Sequence, residues 1–392
     1  MQNQFTVVTL NCWGLLLVAK NRRKRLGYIA EWLRKSDADV AFLQEVWVQF
    51  DARAIARAAA EGPLKHSFHF VSGLFGAGLM VLSQHPIQTV QLLSFNAVGD
   101  PLAILSGDFY AGKGVGWARI KTPSHGEVDC FNTHTSAAYG FNWQEAKEVP
   151  GVLQPTDKNA AIRIAQMLQI IGFIHSRTGG TAHPIILAGD LNSPPESLET
   201  KLLQQLCPAL QDTWLAANQG QESAAGATAN TPDNTFGGTK GQGKKPIKID
   251  YIWCSGHSAA SQSQVLADRT PQGQSLSDHN GLTSTVTFEG HKAGAQWMIP
   301  QPTADLITTL ELARTVLTTG HQQMKSGAIR GGGLAGFSLA ATLILLGFQL
   351  SYPWWQYPRA LVVQRLALTI GQIQTSPDQT NTRKSQQCSS QP

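Results

Sequence analysis

Along the first 290 residues, apolar positions alternate with polar ones or form short runs closed by turn residues. This predicts strands at Phe5 to Cys12, Asp39 to Gln44, Gly78 to Ser83, Ile87 to Phe95, Val115 to Lys121, Glu127 to Thr133, Pro184 to Ala188, Lys248 to Cys254 and Gly281 to Phe288. Between them the period becomes helical. Leu26, Ile29, Ala30 and Leu33 form one apolar face within Asn21 to Lys35, and residues 156–175 repeat the pattern with Ile162, Ala165, Leu168 and the flank from Gln169 to Ile171. Strands mixed with helices predict an α/β domain over residues 1–290. Residues 218–245, rich in Gly, Ala, Gln, Thr and Asn and without apolar period, read as a long, partly mobile insertion loop.

Past Gly290 the pattern changes. A linker and an amphipathic helix (about Ala304 to Met324) occupy 291–330, and no charged residue occurs between Arg330 and Arg359. The run "GGGLAGFSLAATLILLGFQL" has about the 20 apolar residues a bilayer crossing requires, and "YPWWQY" after it supplies an interfacial aromatic belt. Residues 331–375 are therefore expected to hold a transmembrane helix, with Ala360 to Ile373, interrupted by Arg365, completing a hairpin or lying in the interface. A polar tail, 376–392, follows. Lys325 and Arg330 before the first span predict an integral membrane protein whose preceding domain faces the cytoplasm. The N-terminus begins directly as an alternating strand, without the pattern of a secretory signal.

Composition narrows the picture little. The chain has 392 residues, 42% hydrophobic and 15% charged, with a net charge of +5, so it is globular and only mildly basic; nothing in the balance calls for nucleic acid. Its five cysteines (Cys12, Cys130, Cys207, Cys254, Cys388) include no C-x-x-C pair, which argues against a disulfide framework or a zinc site. The basic run "KNRRKR" at 20–25 reads first as the solvated face of a helix, with nucleic-acid phosphate or anionic lipid as alternative partners.

In "GDFYAGKGVGWARI", Gly107, Gly112 and Lys113 fit a phosphate loop, but Gly114 stands where a Walker sequence needs Ser or Thr, and a strand follows instead of a helix. The chemistry is clearer elsewhere. Four strings, "TLNCWG" with Asn11, "FLQEVW" with Glu45, "LAGDLNSPP" with Asp190 and Asn192, and "SLSDHNGL" with Asp278 and His279, are expected where strands end, and such ends converge in α/β domains. His134 in "FNTHTS" and Asp250 in "IDYIW" complete a hydrolytic set. A phosphodiester repels hydroxide, so its hydrolase needs a hard cation, and oxygen donors such as Glu45 and Asn11, with Asp278 a further acid, suit Mg²⁺. His279 with Asp250 fits a general base and the carboxylate that orients it, Asp190 is a further catalytic carboxylate, and His134 and Asn192 can donate to developing charge.

In this order, Asn11, "QEVW", His134, "GDLN", "IDY" and "SDH" resemble the endonuclease/exonuclease/phosphatase superfamily, that of deoxyribonuclease I. The resemblance spans roughly residues 5 to 288. It implies a four-layer α/β sandwich as the catalytic domain, here followed by a membrane-anchoring helical tail, and Mg²⁺-dependent phosphoester hydrolysis. "LNCWGL", "SGLFGAGLMVLSQHPI", "GDFYAGKGVG" and the hydrophobic tail are similar to neutral sphingomyelinases and fungal inositol phosphosphingolipid phospholipases C. That similarity implies Glu45 as metal ligand, Asn192 as a contact to substrate phosphate, His279 as general base, and Asp108 and Lys113 as the paired Asp and Lys of the glycine loop. It also implies a sphingophospholipid substrate in the bilayer, with anionic phospholipid as a further partner and no nucleic acid. A nuclease, a phosphoinositide phosphatase and a scaffold without catalysis stay open at this point.

Overall fold

In a computed structural model, the described residues are 4–330 apart from 17, 74–75, 100–110, 139–146, 150–151, 155–156, 180, 221–223, 238–244, 256–257 and 289–300. Asp108 and the apolar runs after 330 lie outside them. Among the described residues no helix is long and apolar enough to cross a membrane.

Alternation builds the centre. In β1 (Gln4–Asn11), Phe5 and Val7 point one way and Val8 and Leu10 the other. β2 (Val40–Gln44), β3 (His66–Phe70) and β4 (Leu79–Ser83) extend the same sheet, and β13 (Ser258–Leu266) and β14 (Gly281–Phe288) complete it in the order β13-β14-β1-β2-β4-β3. A second sheet runs β11-β12-β10-β7-β6-β5, from β5 (Ile87–Ser94), β6 (Gly114–Thr122), β7 (Gly126–His134), β10 (Ile185–Asp190), β11 (Leu210–Asp212) and β12 (Asp250–Ser255). β8 (Lys147–Val149) and β9 (Val152–Gln154) form a separate hairpin.

Phe5, Val7, Val40 and Phe42 of the first sheet pack on Ala118, Ile120, Cys130 and Ile186 of the second, so the sheets lie face to face. The outer face of the first sheet takes α1 (Arg22–Arg34) and α2 (Gln49–Glu61) through Leu26, Ile29, Leu33 and Ile55. The second takes α3 (Ala160–Thr178) and α4 (Leu198–Leu206) through Ile164, Met167, Ile170 and Leu202. The four-layer sandwich expected from the sequence is present. Each of these buried aliphatic side chains contributes about 1.5–3 kcal/mol.

α5 (Thr213–Ala217) is short and starts on Asp212, whose side chain accepts from the Trp214 amide at 2.9 Å. α6 (Ala304–Arg330) follows the domain's last strand. Its Ala313 and Val316 join the apolar cluster of α3 and α4, and Asp305 pairs with Lys201 at 2.9 Å.

Two expectations change. The stretch 218–245 is not simply a loop: Thr228, Asn234 and Phe236 are buried, and Ala229 bridges to Ile247. Its composition hides this because its work is hydrogen bonding, which leaves no apolar period. The basic run divides as well. Lys20, Arg23 and Lys24 are exposed, whereas Arg22 and Arg25 are buried.

Candidate active site

The site lies at one edge of the two sheets, and strand direction explains its composition. β1 and β2 are parallel and end side by side at Asn11 and Gln44, so Asn11 and the next residue, Glu45, emerge together. In the other sheet β7 and β10 are parallel and end together at His134 and Asp190. Antiparallel neighbours then begin at the same edge: β12 opens on Asp250 opposite Asp190, β6 opens just after Lys113, and β14 opens just after His279 and Asn280. "SDHN" thus precedes a strand rather than ending one, because β14 runs antiparallel to β1.

The edge is sealed by a polar floor. The Gln44 amide donates to Asn132 Oδ1 at 2.7 Å and to Thr9 at 3.1 Å, while Asn132 Nδ2 donates to the Leu43 and Met80 carbonyls, each at 3.0 Å. These fully satisfied groups link the sheets immediately beneath the acids.

Above the floor, His279 Nδ1 meets Asp250 Oδ2 at 2.8 Å, and its Nε2 is 4.0 Å from Asp190 Oδ2. Asp190 accepts from Asn11 Nδ2 at 3.0 Å and from the Asn192 amide at 2.8 Å. Asn192 Nδ2 donates to the Thr135 carbonyl at 3.1 Å. The Lys113 ammonium donates to the same carbonyl at 2.9 Å and lies 3.3 Å from His134 Nε2, which is 3.5 Å from Asp190. Asn11, Glu45, Lys113, His134, Asp190, Asn192, Asp250, Asp278 and His279 are therefore brought to one edge. Glu45 (φ 59°), Asn192 (φ 48°) and Trp13 (φ 46°) all adopt left-handed backbone, a strain that concentrates at functional sites.

Burial and crowded acids dominate the electrostatics. Burial, then repulsion from Asp250, pushes the Asp190 carboxyl up to about 7. Burial and Asp278 likewise raise Glu45. Burial works against the His279 imidazolium, but Asp250, Asp190 and Asp278 outweigh it and hold its pKa well above that of an ordinary histidine. His134 goes the other way: burial, Lys113 and His279 keep it neutral.

Two places invite a cation. Asp190, Asp250 and His279 offer atoms within 4.8 Å of one another. There Asp190 and His279 Nδ1 have partners, while Asp250 Oδ1 has none among the described residues. Glu45 Oε1 accepts from Asn11 at 3.2 Å, but its buried Oε2 has no partner among the described residues. An orphaned carboxylate oxygen beside an amide and a second acid fits a hard divalent cation; Asp250 carries the His279 imidazolium on its other oxygen, which would repel a cation, so the Glu45 side is the better fit.

The glycines of the lysine loop serve close approach rather than phosphate cradling. A Cβ on Gly112 would stand 2.5 Å from the Ser72 carbonyl carbon, and one on Gly114 would stand 2.3 Å from the Leu93 oxygen. Packing this tight seats Lys113 in the interior. Gly14 is equally constrained, with the Glu45 carbonyl 2.1 Å from where its Cβ would be.

Sequence reasoning missed the groups that brace the site. Arg25 is fully buried and donates to the carbonyls of Cys12 (3.0 Å), Trp13 (2.7 Å), Leu276 (2.8 Å) and Lys20 (2.8 Å), tying the Asn11 loop to the one carrying His279. Its guanidinium stacks 4.7 Å from the Trp13 ring centre and 5.4 Å from that of Phe236. Thr228 Oγ1 accepts from the Ile249 and Asp250 amides, and Asn234 Nδ2 donates to the Ser277 carbonyl. The only signal was Arg25 at the helical step that also carries Leu26 and Ile29.

The chain matches the endonuclease/exonuclease/phosphatase family over residues 8–279. It belongs to that family. Within the family it is similar to "Sphingomyelin phosphodiesterase 2" of Homo sapiens, 30% identical over 333 residues, covering 81% of this chain and 74% of that protein. It is also similar to "Inositol phosphosphingolipids phospholipase C" of Schizosaccharomyces pombe, 33% identical over 310 residues, covering 73% and 69%. Among solved structures, sphingomyelinase C from Streptomyces griseocarneus shares the fold, with a TM-score of 0.51 and 19% identity over 72% of this chain and 99% of that one.

Proposed function

We propose that this family member is a phosphoric diester hydrolase of the phospholipase C type that splits sphingomyelin into ceramide and phosphocholine. The observation that carries the chemistry is the 2.8 Å contact of His279 with Asp250, with Nε2 open toward Asp190 among buried polar groups. The relatives' names support the substrate. His279 Nε2 takes the proton of the attacking water as its oxygen bonds to phosphorus, while Asp250 fixes the tautomer and stabilises the imidazolium; the phosphorus–oxygen bond to ceramide breaks and the ceramide oxygen leaves with a proton from solvent. Asp190 orients the water from the far side. Neutral His134, Asn192 and Lys113 lie where they can donate to charge on the phosphoryl oxygens.

A divalent cation on Glu45, with Asn11 and Asp278 beside it, would offset phosphate charge and lessen the negative potential that keeps His279 protonated. Mg²⁺ suits these oxygen donors, and Glu45→Gln is expected to weaken magnesium binding in calorimetry. In this reading the apolar segments within 331–375 anchor the chain, Lys325 and Arg330 keep the domain on the cytoplasmic side, and anionic phospholipid assists.

The test is purified full-length protein in mixed micelles containing sphingomyelin, with inositol phosphosphingolipid and plasmid in parallel. Ceramide and phosphocholine should appear from sphingomyelin. Plasmid nicking without ceramide would overturn the reading. The 33% identity to the fission-yeast relative favours a second head group, and faster release from the inositol lipid would select it.

A further inference from the structure

Seven large apolar side chains are exposed among the described residues, and four of them, Leu16, Val18, Phe50 and Val71, lie on the sheet edge that carries the site. Leu16 and Val18 are in the loop that follows Asn11 and Trp13, with 61% and 58% of their surface open. Phe50, 72% open, is in the first turn of α2, five residues after Glu45. Val71 follows β3, whose Phe70 pairs with Leu79 at the start of β4, which places it at the same edge.

The loop and helix are held together. Arg22 donates from Nε to the Gly14 carbonyl at 2.8 Å and forms an ion pair with Asp51, next to Phe50. Lys20, at the end of the apolar loop, and Arg23 and Lys24, in the first turn of α1, are all exposed. The two inward arginines of the run are used for bracing, which leaves an outward set of three cations beside the apolar one.

Exposed apolar side chains followed in the chain by exposed lysine and arginine match an anionic bilayer surface, apolar groups entering the acyl boundary and cations meeting lipid phosphates. We propose that Leu16, Val18 and Phe50, with Lys20, Arg23 and Lys24, form a membrane-docking surface that seats the active-site edge on an anionic bilayer. This rests on the lipid-hydrolase reading and adds how the site meets its substrate. The loops that present Asn11 and Glu45 are the loops that touch lipid, so docking and catalysis share one rim.

Two measurements on the full-length chain test it. Co-flotation with vesicles also reads the apolar run at 331–350, so a local probe is needed. A polarity-sensitive dye is placed at Leu16→Cys in a Cys388→Ser background; the cysteines at 12, 130, 207 and 254 are buried. A control dye goes on Gln88→Cys, exposed near the opposite end of the sheets. With phosphatidylcholine/phosphatidylserine vesicles the dye at 16 should shift to the blue and that at 88 should not. No shift at 16, or equal shifts at both, overturns the proposal, as does a shift that tracks protein concentration without vesicles and so reports a second copy of the chain.

The second measurement compares hydrolysis of vesicle sphingomyelin with that of short-chain sphingomyelin kept monomeric. Leu16→Ser/Val18→Ser/Phe50→Ser should lower the vesicle rate on the order of tenfold. Lys20→Glu/Arg23→Glu/Lys24→Glu should lower it about fivefold per residue on anionic vesicles. Both should leave the monomer rate unchanged, and equal losses on the two substrates would overturn the proposal. If the unmodified chain cleaves neither lipid, the hydrolase reading fails, while the dye still decides docking.

Discussion

Two buried charged clusters, one in the helical layer on the second sheet and one at the edge of the two sheets, have little in common. In the helical layer, Arg163 of α3 reaches Asp157 at 2.5 and 2.9 Å and Glu199 of α4 at 2.9 Å, so one cation stands between two acids. At the site edge, acids face acids. Asp190 is opposite Asp250 in the strand register, and Asp278 raises the proton affinity of Glu45. The first arrangement is a staple between a loop and two helices. The second crowds acids around the His279 imidazolium and Lys113, an arrangement that burial makes costly and that a cation or a substrate complex can use.

The contrast can be broken at several points. His279→Ala should lower the initial rate on sphingomyelin, per folded molecule, by about 10²–10⁴-fold; a retained rate would show that the dyad is not the base. Arg163→Met should do the reverse. Removing the cation that pairs with both Asp157 and Glu199 should destabilise the protein by about 3–5 kcal/mol in denaturant unfolding, with the rate per folded molecule preserved.

A smaller and opposite effect belongs to Asp190. Its folded pKa of about 7 lies above the ordinary 3.8, so the native state holds a proton that the unfolded state releases. Stability of the chelator-treated protein should therefore fall as pH rises from about 4 to about 7. The raised pKa of His279 acts in the same direction, its contribution being lost as pH climbs through the folded value. Burial and repulsion from Asp250 outweigh the attraction of His279 for Asp190, as the upward shift requires. Asp190→Asn should then raise the melting temperature at pH 8 by several degrees while abolishing turnover, and flatten the pH dependence seen by scanning calorimetry.

The sequence disclosed the site better than its surroundings. Asn11, Glu45, His134, Asp190, Asp250 and His279 stand in short strings next to strong strands, and parallel strand ends bring such strings together. Edge strands were less legible. β3 ("HSFHF") and β13 ("SAASQSQVL") carry few apolar residues, because an edge strand is half solvated, and β11 has only three residues. The braces were illegible for a different reason. Arg25, Thr228 and Asn234 bond to main-chain atoms far away in sequence, and no periodicity marks such a partner. Asp108, expected to pair with Lys113, lies outside the described residues.

Gly14 has a consequence for how this sequence can change over time. The Glu45 carbonyl occupies the space of its missing side chain, with 2.1 Å to the atom that any other residue would add. Every single-base change in a glycine codon that alters the residue without ending the chain introduces that atom. Position 14 therefore has no neighbouring sequence to drift through unless the turn at Glu45 moves first, and that turn carries the carboxylate with the unpartnered oxygen. Because the obstacle is a main-chain carbonyl that any residue at 45 would carry, lineages that keep this turn should keep glycine at 14 whatever side chain follows at 45.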